Sequence, residues 1–377
     1  MTTIQITPMD ITATRQCLNL NDLTNPDDGP HCIQLVMQTV IDALVKHWGA
    51  QSVIYRESPI VSVQDNYDKI GYPKDGASRD SRYTRYVCNS AVLRTMTSAM
   101  IPRAMQSVAA GKPDVLLACP GICYRRDCID KIHTGEPHQL DLWRMVRGRR
   151  MTTDDLMEMI SVVMHSILPG AKYRTEPKPH PYTTDGCQID VQWEDGWLEA
   201  GECGIASQNI IAANYPDAQN VTGLAMGLGL DRLVMLVKGI HDIRLLRADD
   251  PRVKAQMQDL SPYKEVSHMP AVVRDMSLAV DSLLDDETLG DKVRGAMADS
   301  HVIESVQILS QTGYQDMHPN AIQRLGMQRG QKNVLLRVVL RALDRTLTSQ
   351  ECNDYRNAIY QALHEGDNMV LAENAGS

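Results

Sequence analysis

The stretch after Asp250-Pro251 restricts the fold most. Residues 251–268 read as a polar connector, and beyond them the apolar pattern takes on a rhythm of its own. Ala271 to Val280 is strand-like, and Glu287 to Asp299 is helical. Val302 to Ser310 and Asn333 to Ala342 are strand-like, Gln350 to Leu363 is helical, and Met369 to Leu371 is a short last strand. Within 333–342, Val334, Leu336, Val338 and Leu340 share one face. Leu335, Arg337, Val339 and Arg341 take the other, which is the period of two of a half-buried strand. The order β-α-β-β-α-β over roughly 100 residues is a split βαβ, ferredoxin-like arrangement. The expected division is therefore 1–250, a linker 251–268, and 269–377.

The first part mixes helices and strands. Asp28-Gly29-Pro30 reads as a helix start. Ile33, Val36, Met37, Val40, Ile41, Leu44 and Trp48 follow at helical spacing, and Gly49 is a stop. Thr152-Thr153-Asp154-Asp155 opens a second helix that closes at Pro169-Gly170. Val115 to Ala118, Ile122 to Arg125 and Gln188 to Trp193 read as strands, and Gly227 to Val237 as a helix begun by glycine.

Composition excludes several classes. The chain has 377 residues, with 43% hydrophobic and 23% charged, which rules out wholesale disorder. No apolar run approaches eighteen residues, so no membrane span is expected. MTTIQITPMD has no basic region followed by an apolar one, so a secretory signal is not expected. Nine cysteines, an odd number, point to reduced thiols and a cytoplasmic location. A net charge of −9 means that any nucleic acid must be met by a local basic patch. Phenylalanine is absent altogether. At a usual frequency of roughly 4%, about 15 would be expected. Leu, Met and Tyr approximate Phe without replacing it everywhere, so packing does not demand the absence.

Four constellations carry chemistry. Gly223-Leu-Ala-Met-Gly-Leu-Gly-Leu-Asp-Arg232 lacks the third glycine of a dinucleotide fingerprint. Its glycines let backbone approach a planar ligand, and Arg232 then stands where a guanidinium meets a base or phosphate. The alternative is a tight strand–helix junction with a solvated arginine. Arg125, His133 and His138-Gln139-Leu140-Asp141 form a hairpin pattern suited to phosphate and an amino group, with an exposed polar hairpin as the alternative. Cys119, Cys123 and Cys128 lack a second matched pair, which argues against zinc. Leu93 to Ser98 supplies hydroxyls and Arg94 for a polar pocket, or a helix cap. Arg324, Arg329, Lys332, Arg337, Arg341 and Arg345 face only Asp344 in their own stretch. That is an RNA-backbone footprint or a charged sheet face.

In this order and spacing the segments resemble a single-chain, organellar-type phenylalanyl-tRNA synthetase. The likeness runs from about Leu20 through nearly the whole chain. Glu57-Ser-Pro59 resembles the motif 1 region, and Leu93 to Ser98 resembles LRxHTS. Cys119 to Asp141 resembles GRVFRxE, a His and FHQxE. His180-Pro-Tyr-Thr-Thr-Asp-Gly resembles FPFTxPS, and Trp197 to Gly204 resembles WLEIxGCG. Gly223 to Arg232 resembles GFAFGLGxxR. Arg274-Asp-Met-Ser277 and Asp344-Arg-Thr-Leu-Thr348 resemble RDiS and xRTLT.

The resemblance implies an α+β fold. It consists of a class II antiparallel sheet with flanking helices over 1–250, and a ferredoxin-like anticodon-binding domain over 269–377. It implies ATP with Mg²⁺, an amino acid and tRNA as partners, and a monomer, with a homodimer as the alternative. By resemblance Arg125 holds the α-phosphate, Asp127 reads adenine, and Arg232 packs on adenine and the γ-phosphate. His133 approaches the pyrophosphate, and Glu199 organises ATP with Mg²⁺. Ser98, Gln139 and Asp141 receive the amino group, His180 and Tyr182 flank the substrate ring, and Ala225 ends its pocket. Arg324, Arg329, Lys332, Arg337 and Arg341 are the tRNA contacts.

Departures from the family pattern matter. Met96 stands for a His, Pro137 for a Phe, Asp141 for a Glu, and His180 and Tyr182 for the two ring-flanking Phe residues. The expected function is ATP-dependent ligation of phenylalanine or a related aromatic amino acid to tRNA. Two alternatives stay open: activation of a non-standard amino acid for a non-tRNA acceptor, and a non-catalytic tRNA-binding regulator. A Phe-free synthetase needs no charged phenylalanine tRNA for its own translation. That suggests a second, conditionally made enzyme.

Overall fold

The computed structural model describes residues 4–108, 112, 114–126, 128, 130–266, 269–297 and 299–369. They form two units. The first comprises residues up to Arg125, Glu136–Leu246 and Ala255–Lys264. The second comprises Arg126–Gly135, Arg247–Lys254 and the chain from Glu265. The expected linker is thus shared between them, and it contains the helix Pro251–Gln256.

The first unit is built on a seven-stranded sheet. Its order is Gln51–Ile54, Asp114–Ile122, His138–Arg147, Val221–Gly229, Gly196–Ala206, Thr183–Trp193 and Tyr173–Pro177. The first pair is parallel and every other pair is antiparallel. Three helices carry the apolar stripes that pack with it: Cys32–Trp48, Thr153–Ile167 and Leu230–Lys238. In Cys32–Trp48 the residues at helical spacing, Ile33, Val36, Met37, Val40, Ile41 and Leu44, are all buried. Each such side chain contributes about 1.5–3 kcal/mol by leaving water. Gly49 ends the helix at φ 64°, a left-handed turn that a β-carbon disfavours. The start lies later than Asp28-Gly29-Pro30 suggests. Pro26–Asp28 forms its own short 3₁₀ turn, and the His31 ring accepts the Ile33 N–H to cap the helix. Thr152 and Asp155 form a reciprocal capping box at the start of Thr153–Ile167.

Two expected elements differ. The strand read at Ile122 to Arg125 is the end of Asp114–Ile122; beyond it Cys123 and Tyr124 donate their N–H groups to the carbonyls of Pro137 and Arg94. The helix read from Gly227 begins at Leu230. Gly227 and Gly229 instead pair with Asp141 and Gln139 across the sheet. Alternation then puts Gly223, Ala225, Gly227 and Gly229 on one face of that strand. Leu224, Met226 and Leu228 are buried on the other. That face is packed into the core at Gly223 and Ala225 and bare at Gly227 and Gly229, which leaves a trough at the C-terminal end of the strand.

The second unit has an antiparallel sheet in the order Val272–Asp281, Gln331–Leu340, Ile303–Gly313. Val334, Leu336, Val338 and Leu340 point into a core shared with Leu289 and Val293 of Asp286–Gly295, and with Ile359 and Leu363 of Ser349–Leu363. This is the first–third–second order of a split βαβ unit. A helix not read from the sequence, Pro319–Leu325, lies between the second and third strands, begun by His318 and Pro319. The Glu365 N–H donates to the Ala279 carbonyl, which returns the chain to the edge of Val272–Asp281. Most of the expected strand Met369 to Leu371 lies outside the described residues.

With no Phe, the largest buried rings are Trp143, Tyr67, Tyr86, Tyr124 and Tyr360. Each buried phenol needs an acceptor. Tyr67 donates to the Ser78 carbonyl at 2.9 Å, Tyr86 to the Arg79 carbonyl at 2.7 Å, and Tyr124 to the Cys17 carbonyl at 3.2 Å.

Candidate active site

The trough in the sheet is floored by Gly227 and Gly229, with buried Ala225 at its inner end, and walled by its neighbours. On one side stands the His138–Arg147 strand, with Gln139, Asp141 and Trp143 alternating onto the same face. On the other stands Gly196–Ala206, with Glu202 opposite Gly227 and Gly204 opposite Ala225. Asp141, Gly227 and Glu202 therefore form one row across three strands. A β-carbon on Gly227 would sit 3.6 Å from Asp141 Oδ2, so glycine keeps the space between the two carboxylates open.

Asp141 is the buried centre of this wall. It accepts from Thr97 Oγ1 at 2.8 Å, Ser98 Oγ at 3.0 Å and Trp143 Nε1 at 3.3 Å. The hydroxyls come from the short turn Thr97–Met100, which follows the strand Ala91–Leu93. Burial pushes the Asp141 carboxyl up to about 6, against the pull of these donors. Ser98 and Asp141, 43 residues apart, thus meet. Gln139 stands one alternation away and accepts from the Cys123 thiol.

Aromatic side chains close over the floor. Tyr182 lies 5.9 Å from Trp143, and the His180 ring stacks on Tyr182 at 5.6 Å and 26°. Tyr72 stands 6.4 Å from Tyr182. Burial, and then the charge of Asp141, raise the Tyr182 phenol well above its ordinary range. Ala225 packs in the same cluster as Trp143 and Tyr182.

The far wall is charged. His180 Nε2 lies 2.7 Å from Glu202 Oε2, and Lys178 reaches the other carboxylate oxygen. Burial would raise Glu202, but His180 and Lys178 hold it down at about 2. Lys178 Nζ is also 3.6 Å from Glu199 Oε2, and Arg232 Nη1 donates to the Glu199 carbonyl at 3.3 Å. Among the described residues, Arg125 Nε is buried with no hydrogen-bond partner, an orphaned donor of the kind a phosphate oxygen satisfies.

Other expected site residues fall elsewhere. Asp127 lies outside the described residues. His133 belongs to the second unit, where its Nδ1 is 2.7 Å from Asp130. Arg94 does not line the pocket; it is buried, donates to the Ile122 carbonyl at 2.7 Å, and occupies the room left by the missing side chain of Gly121. In the basic stretch Arg324 and Arg329 are exposed. Arg337 makes a two-pronged pair with Asp275 at 2.8 Å, Arg341 pairs with Glu304, and Lys332 donates to the Leu284 carbonyl at 2.6 Å. The stripe is therefore less bare than its own stretch suggests. Cys119 and Cys123 are wholly buried thiols, Cys123 pushed up to about 12 by burial. Among the described residues no three His, Cys, Asp or Glu side chains gather as a metal cluster.

The hydroxyls read in Leu93 to Ser98 include Thr97, which meets Asp141, whereas sequence reasoning missed Trp143, Lys178, Tyr72 and Glu202. Strand alternation from Asp141 gives Trp143, and Glu202 occupies the first glycine position of the GCG pattern, so both left a signal. Tyr72 and Lys178 left none.

The family described as tRNA synthetases class II core domain (F) matches residues 19–257. The chain is 32% identical over 191 residues to the phenylalanine–tRNA ligase alpha subunit of Acaryochloris marina, covering 51% of this chain and 56% of that one. It thus spans little more than half the length of such a relative. It is 27% identical over 327 residues to the chloroplastic/mitochondrial phenylalanine–tRNA ligase of Arabidopsis thaliana, covering 83% and 71% of the two chains. It is 25% identical over 405 residues to a probable mitochondrial phenylalanine–tRNA ligase of Drosophila melanogaster, covering 90% and 85%.

Proposed function

This chain belongs to the class II tRNA synthetase core-domain family of the F type, and we propose that it is an ATP-dependent aminoacyl-tRNA ligase acting on phenylalanine or a close aromatic relative. The observation that carries this reading is the convergence of Ser98 and Thr97 on buried Asp141 beside a strand end bare of side chains. An ionised carboxylate with hydroxyls around it receives an ammonium group, and the ring cluster of Trp143, Tyr182 and His180 receives an aromatic side chain.

In this reading the amino-acid carboxylate attacks the α-phosphorus of ATP, an O–P bond forms, and pyrophosphate leaves. The terminal hydroxyl of tRNA then takes the acyl group and AMP departs. The protein's part is placement and charge neutralisation. Arg125 offers its orphaned Nε to a phosphate oxygen, and Arg232 faces the nucleotide from the first turn of Leu230–Lys238. Glu199 is the carboxylate that would help to hold magnesium, which would neutralise charge on the ATP phosphates. Arg324 and Arg329, exposed on the second unit, are the first candidates for tRNA contact. The chain is proposed to act as a monomer in the cytoplasm, with tRNA bound through residues 269–377.

The test is amino-acid-dependent ATP–pyrophosphate exchange, followed by charging of tRNA. Phenylalanine-dependent exchange together with charging supports the ligase. Exchange without charging of any tRNA redirects the reading to a non-tRNA acceptor, and binding of tRNA without exchange to a regulator.

A further inference from the structure

Two departures from the family pattern touch each other. Position 180 is a Phe and position 202 a Gly in the motifs this chain resembles; here they are His and Glu, with His180 Nε2 2.7 Å from Glu202 Oε2. They lie on different segments, the loop before Thr183–Trp193 and the middle of Gly196–Ala206. The imidazole and the carboxylate stand at ion-pair distance, though His180 Nε2 makes no well-directed hydrogen bond, and Lys178 answers the other Glu202 oxygen.

The pair stands at the substrate trough. Glu202 shares a row with Gly227 and Asp141, so its side chain rises from the wall facing the proposed ammonium site. Its charge is felt by Asp141, Tyr72 and Tyr182, which places the carboxylate beside the aromatic enclosure. His180 is stacked on Tyr182 and its side chain is only 7% exposed, so it is a fixed part of that enclosure. The Glu202 side chain is 27% exposed and remains open to a ligand. Its two oxygens meet His180 and Lys178, yet a carboxylate has about four acceptor sites. Acceptor capacity is therefore left for a ligand donor.

A plain phenyl ring would desolvate this anion and give no donor in return. A ring hydroxyl would replace the displaced water as a charge-assisted donor. Resting on the ligase reading above, we infer that this pocket prefers an aromatic amino acid whose ring carries a hydroxyl group, recognised by Glu202 held in place by His180.

Exchange is measured on the full chain with phenylalanine and with its ortho-, meta- and para-hydroxy forms. At least one hydroxylated form is expected to exceed phenylalanine in kcat/KM by about tenfold or more. In Glu202→Gly and His180→Phe that preference falls away. In the double variant the loss is less than the product of the single losses, because the two side chains act as one unit. Calorimetric binding of the same amino acids, without ATP, reads the preference even where a variant turns over poorly. Phenylalanine used as well as or better than all three hydroxylated forms by the unmodified chain overturns this inference alone. So does a preference that survives Glu202→Gly. Exchange with none of the amino acids overturns the ligase reading and this inference with it.

Discussion

His138 and Asp231 are joined twice in the interior: the His138 N–H donates to Asp231 Oδ2 at 2.5 Å, and His138 Nδ1 lies 2.9 Å from Asp231 Oδ1. The Leu23 N–H donates to His138 Nε2 at 3.2 Å. Nε2 is therefore the acceptor, and Nδ1 carries the proton toward Asp231. Each residue precedes a proposed site residue, Gln139 and Arg232. The pair fixes the start of the His138–Arg147 strand against the first turn of Leu230–Lys238.

Asp231→Asn turns one acceptor into an amide donor facing the His138 N–H. A loss of about 1–3 kcal/mol of stability is expected from the unpaired group. A raised KM for ATP is also expected, because the helix turn that carries Arg232 loses its tie to His138. Urea denaturation and exchange kinetics check both. An unchanged urea midpoint would show the contact to be dispensable.

Asp141 sets a pH dependence. Its folded carboxyl lies at about 6 against an ordinary 3.8, raised by burial. Between those values the folded chain binds more proton than the unfolded one, so the group's stabilising contribution is full below 3.8 and lost as pH rises through about 6. Substrate binding runs the other way, because only the carboxylate receives an ammonium. The KM for the amino acid should rise as pH falls below about 6, approaching tenfold per unit, and Asp141→Asn should remove that inflection. A flat KM across pH 5 to 7 in the unmodified chain would place the ammonium elsewhere.

Arg125→Ala and Arg232→Ala should each lower exchange by about 10²–10³, the usual cost of one preorganised donor at developing charge. The defect should appear in kcat or in KM for ATP and leave amino-acid binding measured without ATP intact. Near-normal adenylate formation in either variant would contradict the roles given to them.

Periodicity made most elements legible, because apolar spacing reports burial directly. The helix at Cys32–Trp48 and the strand at Gln331–Leu340 needed nothing more. It failed at Gly227 and Gly229, where glycine carries no side chain to show a period and pairing with Asp141 and Gln139 decides. The proposed ammonium subsite was legible as motifs, since Ser98, Gln139 and Asp141 lie in recognisable segments. Glu202 left only its mismatch with the GCG pattern, because a glutamate on a strand reads as solvated until its neighbours across the sheet are known. The basic stretch misled for the same reason. Asp275 and Glu304, which answer Arg337 and Arg341, are 62 and 37 residues away in the chain.

His364 should make the second unit sensitive to mild acid. The Ala279 N–H donates to its Nδ1 at 3.0 Å, and its Nε2 donates to the Leu325 carbonyl at 3.1 Å, so the ring is held neutral. Burial depresses its pKa below 6.5. The unfolded chain then takes the proton first, and this stabilisation, complete above 6.5, is lost as pH falls toward the depressed folded value. Denaturation midpoints followed from pH 7.5 to 5 should fall more steeply for the unmodified chain than for His364→Gln. Parallel curves would remove His364 from the cause.

The absence of Phe also makes a prediction about the core. If tyrosines had merely drifted into phenylalanine positions, their phenols would be a burden and Tyr→Phe would be neutral or stabilising. The structure argues the reverse, because Tyr86 is 1% exposed and its hydroxyl donates to the Arg79 carbonyl at 2.7 Å. Tyr86→Phe keeps the ring volume and leaves that buried carbonyl without its donor, a cost of about 1–3 kcal/mol. Tyr124→Phe, whose bond to Cys17 is longer at 3.2 Å, should cost less. Thermal and urea unfolding of the two variants give the order. Destabilisation ranked Tyr86 above Tyr124 would show a core fitted to tyrosine, with Phe excluded by more than chance. A gain in stability at both sites would mean that the hydroxyls were never needed and that drift suffices.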